Sequence, residues 1–370
     1  MKLFKSLLVA PATLGLLAPM SATANEITIN DFNPAEELAI TNSRVDGLEA
    51  RLNNFEAGSF SETTTASFST DLLIGSEDTD DGSSVTDDTD DSITANYSFQ
   101  IDLNTSFTGE DSLDISLDAG NASGGTAEFD GNSGGDGLSV DGVSYTFPVG
   151  GATVFVGDNT DGSMLFTTAC VYGGPSNTLD DCGNVNAGFT GGQVAAGASY
   201  DFGNGFTAAT GLQTNNAGVL TDEAMDSVGF NLAYTGDDYG LSLTYGVTET
   251  STDDEDAAVA FNAYYTPEGL PSISAGYETV DIGGAAADVD EKESIFFGLT
   301  WDEVGPGSAG VAAGYSNLLE NADEAYMYEA YYEYPVNDGM TITPLIFVKE
   351  VAAVGQDDTT GVMVKTSFSF

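Results

Sequence analysis

From residue 60 onward, apolar and polar residues alternate with a period of two. In "SITANYSFQIDLNTSF", Ile93, Ala95, Tyr97, Phe99, Ile101, Leu103 and Phe107 share one face, and Thr94, Asn96, Ser98, Gln100, Asp102, Asn104 and Ser106 share the other. Successive strand side chains point to opposite faces, so this pattern predicts an amphipathic β-strand. "GLSLTYGVT" splits the same way, with Leu241, Leu243, Tyr245 and Val247 against Ser242, Thr244 and Thr248. So does the terminal "TTGVMVKTSFSF", with Val362, Val364, Thr366, Phe368 and Phe370 against Met363, Lys365, Ser367 and Ser369. Sixteen such segments begin near residues 62, 92, 112, 137, 152, 192, 206, 226, 239, 257, 271, 292, 308, 325, 340 and 359. In the fourth, Leu138 and Val140 are out of phase with Val143, Tyr145 and Phe147. One extra residue at Asp141-Gly142, a β-bulge, restores the phase.

The connections alternate in length. Tight turns such as "GED", "FGNG", "PEG" and "VNDG" follow the even-numbered segments, and longer polar loops such as "SEDTDDGSSVTDDTDD" follow the odd ones. A soluble sandwich gives no reason for that parity. A closed outer-membrane barrel does, with short turns at one rim, long loops at the other, apolar residues outward and polar residues inward. The predicted fold is all-β, a 16-stranded antiparallel transmembrane barrel over residues 60–370, in which the last strand closes on the first.

The amino end follows other rules. Lys2 and Lys5, the apolar run Leu7–Leu17 and "ATA" at 22–24 predict a signal peptide over 1–24. Between 25 and 59, Val45, Leu48, Leu52 and Phe55 fall at spacings of three, four and three, the a/d rhythm of a short coiled coil and a candidate trimerisation seam. Such a short segment does not hold alone. It needs either a strongly associating neighbour domain or packing of a single amphipathic helix against its own protein.

Charge narrows the partners. The chain carries 59 acidic residues against seven Lys and Arg, a formal charge of −52, and Lys292, Lys349 and Lys365 are the only bases after residue 51. Nucleic acid is excluded by sign. With no histidine anywhere, Ser-His-Asp and Cys-His catalysis and His-ligated metals are excluded, so no enzyme activity, cofactor or metal site is expected. The acids at 78–91 offer oxygen ligands but lack EF-hand spacing, and an acidic run is ordinarily a solvated one. Cys170 and Cys182 are the only cysteines, and in an exported chain a local disulfide is expected.

Strand parity turns Ser67, Asn96, Gln100, Asn104, Ser199, Gln213, Asn231, Thr244, Asn262 and Ser274 inward, small or polar residues suited to a wet lumen rather than a dry core. It also turns Asp71, Asp102, Asp114, Asp118, Asp201, Glu278, Glu329 and Glu333 inward, with only Lys349 and Lys365 opposing them. A barrel of this size has room for water, so these are the candidate pore-lining residues. The longest connection, 160–190, is the third long loop. It holds Asp161 and, within "CVYGGPSNTLDDC", Cys170, Asp180, Asp181 and Cys182. Two readings stay open for it: a covalently stapled constriction, or a stapled surface loop.

The signal peptide, "PAEELAITNSRVDGLEARLNNFEAGSFSETT", "YTFPVG" and the terminal "FSF" resemble the major porins of marine unicellular cyanobacteria, within the carbohydrate-selective porin superfamily. The likeness is close over 34–64 and one of pattern across the strands. It implies a passive diffusion channel in the outer membrane, commonly a homotrimer, passing small solutes and ions, carbohydrates among them. Members usually carry an S-layer-homology domain before the coiled coil. Only residues 25–33 separate Ala24 from Pro34 here, so wall tethering is not carried over. The acidic lumen adds an expected cation preference. The competing reading is a surface structural or adhesive protein of the outer membrane, although acidic glycine-rich loops lack the apolar tips that adhesion favours.

Overall fold

Among the described residues, sixteen strands follow one another along the chain. They are β1 (Thr64–Asp78), β2 (Thr94–Thr105), β3 (Ser112–Gly120), β4 (Gly135–Val149), β5 (Ala152–Asp158), β6 (Val194–Gly203), β7 (Phe206–Thr214) and β8 (Asp226–Thr235). The second half comprises β9 (Tyr239–Ser251), β10 (Asp254–Tyr265), β11 (Ser272–Asp281), β12 (Glu291–Val304), β13 (Gly307–Leu319), β14 (Met327–Asn337), β15 (Met340–Lys349) and β16 (Thr359–Ser369). The structure is a computed structural model and describes residues 64–78, 92–129, 131–215, 225–251, 254–284, 289–351 and 358–370. The expected signal peptide and the 25–59 segment, with Val45, Leu48, Leu52 and Phe55, lie outside the described residues.

Each strand pairs antiparallel with its sequence neighbours, and β1 pairs with β16 to close the sheet. The closing register sets Asp71 opposite Ser367 and Ile74 opposite Val364. At its short-turn end, Phe68 N–H donates to the Phe370 carbonyl at 2.9 Å and Phe370 N–H to the Phe68 carbonyl at 3.1 Å. The two rings stack with centroids 5.7 Å apart. The terminal aromatic is thus one half of the seam. The β4 bulge falls where the alternation requires it: Ser116 faces Gly142 and Leu117 faces Val140, with Asp141 skipped. Leu138 and Val140 are both exposed as a result.

The outer face is apolar and exposed. Phe230, Leu232, Leu243, Phe297 and Ile346 lie on it, Leu232 at 58%. In water this belt would be a far larger apolar patch than a soluble protein presents. Against hydrocarbon it costs nothing, and ring closure leaves no sheet edge unpaired. Aromatic pairs mark the two rims: Tyr200 with Phe202 and Phe206 with Tyr234 at the short-turn end, Tyr315 with Tyr326 at the other. The described chain is a transmembrane β-barrel.

The inner face departs from expectation. An arc of it is dry, with Leu73, Phe296, Met327, Leu345, Phe347 and Met363 fully or almost fully buried. What covers them is loop. Part of the 159–193 connection and a short 3-10 turn, Gly124–Phe129, fold into the barrel and complete an apolar cluster through Tyr172, Leu179 and Phe129. Alternation gives the direction of a side chain and not whether water or a loop meets it there.

Candidate functional site

The long loop after β5 is gathered at a neck and then spread along the inner wall. At the neck, Asn159 N–H donates to the Gln193 carbonyl (2.6 Å), Thr160 N–H to the Gly192 carbonyl (3.0 Å), and Gly191 N–H to Asp161 Oδ1 (2.7 Å). The Asn159 side chain also donates to the Val140 and Asp141 carbonyls, capping the β4 bulge. From there the outgoing arm crosses strand after strand. Gly162 N–H donates to Gln213 Oε1 on β7 (2.9 Å), and Thr167 N–H to Asn231 Oδ1 on β8 (2.9 Å). Ala169 N–H donates to Ser242 Oγ on β9 (2.9 Å), and Val171 N–H to Ser274 Oγ on β11 (3.0 Å). Tyr172 then buries its ring between Phe296 and Tyr331 and donates its hydroxyl to Glu329 Oε1. Burial, with the Glu329 carboxylate beside it, holds that phenol well above the usual tyrosine range, so it stays a donor.

Cys170 and Cys182 form a disulfide, closing a ring over 170–182. The chain reverses at Cys182 and Gly183, both with positive φ (52° and 74°). On the return arm, Asn262 Nδ2 donates to the Cys182 carbonyl (2.8 Å). Glu278 accepts from Asn186 N–H (2.8 Å), Ala187 N–H (2.7 Å) and Asn186 Nδ2 (2.7 Å). Strand glycines make room for this backbone: a Cβ at Gly276 would lie 1.8 Å from the Cys182 carbonyl oxygen, and one at Gly211 1.8 Å from that of Gly162. Glycine inside a strand weakens it and often marks such a close backbone approach. The loop is therefore an inner layer on the wall, not a surface loop.

The predicted site residues separate into groups. Glu278 and Glu329 are buried, at 0% and 4% exposure, and their carboxylates meet the loop rather than open lumen. Gln213, Asn231, Asn262 and Ser274, expected to face water, serve the loop's backbone in the same way. Asp102, Asp114 and Asp118 lie on the β2–β3 part of the wall, partly exposed. They are held by neutral donors: Gln100 and Ser116 on Asp102, Asn104 and Ser112 on Asp114, Ser139 on Asp118. Neutral donors orient a carboxylate without cancelling its charge. Asp71 shares the inward phase of Leu73 on β1, and Glu333 is exposed beyond Tyr331 on β14. Asp201 sits at the short-turn rim, where its Oδ1 accepts from Gly203 N–H (2.7 Å). Asp180 and Asp181 are exposed on the ring and border a cavity of about 360 Å³ between the loop's two arms.

The lysines are engaged. Lys349 Nζ lies 2.8 Å from Glu128 Oε2, Lys292 Nζ 3.8 Å from Asp256, and Lys365 Nζ sits 5.7 Å from the centroid of the Phe129 ring. The 121–134 segment that supplies Glu128 and Phe129 is absent from the predicted site. Phe129 is 1% exposed, which contributes on the order of 2–3 kcal/mol. That alone does not offset ordering the whole segment at about 1–2 kcal/mol per residue. Hydrogen bonds from Thr126 to Asn96 (2.6 Å) and from Asn132 N–H to Ser98 (3.2 Å) add to it. The sequence signal was slight: one aromatic, Phe129, between two acids, Glu128 and Asp130, in a loop of Gly, Ser, Asn, Ala and Thr.

By sequence the chain matches no family model and no curated protein. By fold it is similar to solved porins. An anion-selective porin from Comamonas acidovorans superposes with a TM-score of 0.62 at 13% identity, over 83% of this chain and 99% of that one. OprB of Pseudomonas putida gives 0.53 at 13% identity, over 83% and 94%. A variant of the Rh. blastica porin gives 0.51 at 12% identity, over 83% and 100%.

Proposed function

We propose that this protein is an outer-membrane porin, a passive diffusion channel for small hydrophilic solutes and inorganic ions that prefers cations. The observation that carries the reading is a closed 16-stranded barrel with an apolar exterior, into which a disulfide-stapled loop folds as an inner layer. Asp71, Asp102, Asp114, Asp118 and Glu333 would face the solute path from the wall, and Asp161, Asp180 and Asp181 from the loop. The likeness to solved porins supports the channel and carries no sign of selectivity, because fixed charge rather than fold sets that sign. A lumen of this charge concentrates cations and opposes anions. The preference should fade as the screening length falls from about 10 Å at 0.1 M salt to about 3 Å at 1 M. Reversal potentials of the purified protein across planar bilayers in KCl gradients test this. Cation preference in dilute salt that weakens in concentrated salt is expected, and anion preference in dilute salt would refute it. Cleavage after Ala24, assembly as a homotrimer and passage of carbohydrates belong to the same proposal and rest on the amino-terminal pattern and the family resemblance.

A further inference from the structure

Among the described residues, two loops enter the barrel, and they meet at Glu128. Its carbonyl accepts from Asn177 N–H (2.8 Å) and its Oε1 from Thr178 N–H (3.0 Å), both residues of the disulfide ring. Its Oε2 lies 2.8 Å from Lys349 Nζ at the end of β15, and the same ammonium donates to Thr178 Oγ1 (3.0 Å). The Glu128 side chain is 11% exposed. We propose that Glu128 is the positioning residue that fixes how far the Cys170–Cys182 ring stands into the lumen, and so sets the largest solute admitted; this rests on the channel reading above.

The argument is one of leverage. The disulfide makes the ring stiff within itself but does not fix it as a body. Its base is tied on the outgoing side by Ala169, Val171 and the Tyr172 hydroxyl on Glu329, and on the return side by the Cys182 carbonyl and Glu278. Among the described residues, one bond from its far side, Asn177–Thr178, to the wall involves neither Glu128 nor Lys349, from Ser316 Oγ to the Thr178 carbonyl (3.1 Å). Glu128 and Lys349 supply the others. Glu128 is itself held by the burial of Phe129 beneath Lys365. The Gly124–Phe129 turn therefore acts as a strut between β16, β15 and the ring. A bond to a charged group is stronger than a neutral one, so this clamp adds to the burial of Leu179, 2% exposed, in holding the ring's far side.

Single-channel conductance and liposome swelling with saccharides of increasing length, on the full protein and on Glu128→Ala, Lys349→Met and the double variant, test it. The wild type should give a steady conductance and a sharp size limit. Each single variant should raise conductance or open-state noise and admit saccharides that the wild type excludes. The double variant should go further than either single one, because each single change leaves one bond to Thr178 in place, from Lys349 Nζ to its Oγ1 or from its N–H to Glu128 Oε1. A folded Glu128→Ala barrel, judged by heat-dependent electrophoretic mobility, with unchanged conductance and size limit would overturn the proposal even if its melting temperature fell. If Glu128→Ala does not assemble, Lys349→Met decides, since it spares both backbone bonds to Glu128, and an unchanged limit there overturns the proposal too. A wild type that conducts nothing would instead remove the channel reading beneath it.

Discussion

Asp111 shows how much one carboxylate can organise at the short-turn rim. Its Oδ1 accepts from Phe107 N–H (3.0 Å), Thr108 N–H (2.7 Å), Ser106 Oγ (2.8 Å) and Thr108 Oγ1 (2.8 Å), and its Oδ2 from the Tyr145 hydroxyl (2.6 Å). The Tyr145 bond is the largest cause holding this carboxyl well below the usual carboxylate range. Desolvation opposes it, and the Thr108 and Ser106 bonds reinforce it. A depressed folded-state value gives stability that is present above the unfolded carboxylate value, about 3.9, and is lost as pH falls below it. Asp111→Asn should therefore melt below the wild type at pH 7, and the gap should narrow as pH drops through 4 to 3. Parallel melting curves across that range would show that the turn does not depend on this charge. The sequence offered "GED" as a turn and gave no hint that its last residue gathers five donors.

Among the elements, all sixteen strands were legible because alternation, turn residues and loop length agree, and even the bulge at Asp141 followed from phase alone. The inner layer was legible only in part: an inward-folded 160–190 loop was one of two open readings, and what it meets on the wall was not read. Polar residues that look ready for water are equally ready for a backbone, as Asn231 shows by donating to and accepting from Thr167. The glycines of β7 and β11 were the available clue, since Gly211 and Gly276 stand in strand interiors where a turn does not call for them. Gly276→Val should push the Cys182 backbone off the wall. The expected cost is about 1–3 kcal/mol from overpacking, read as a lower melting temperature with unchanged strand content by circular dichroism. A variant as stable as the wild type would mean that the return arm has slack.

For the whole molecule, the proposed assembly as a homotrimer turns on residues outside the described ones. If Val45, Leu48, Leu52 and Phe55 form a shared seam, Leu48→Asp with Leu52→Asp should lower the temperature at which the oligomer dissociates in detergent and leave the monomeric barrel's conductance intact. An oligomer that dissociates at the wild-type temperature would assign that helix to packing on its own protein. The barrel itself was legible at this scale and the pairing of β1 with β16 was anticipated, but that pairing also governs time. Every other strand pair joins sequence neighbours, whereas Asp71 must find Ser367. Contacts between such distant positions demand the largest chain-closure entropy and slow folding. Until they form, the intermediate is an open curved sheet with two raw edges, each a template for pairing with another chain. The seam's stacked phenylalanines and doubled backbone bonds thus act as a fastener that closes the last and most hazardous interval of biogenesis.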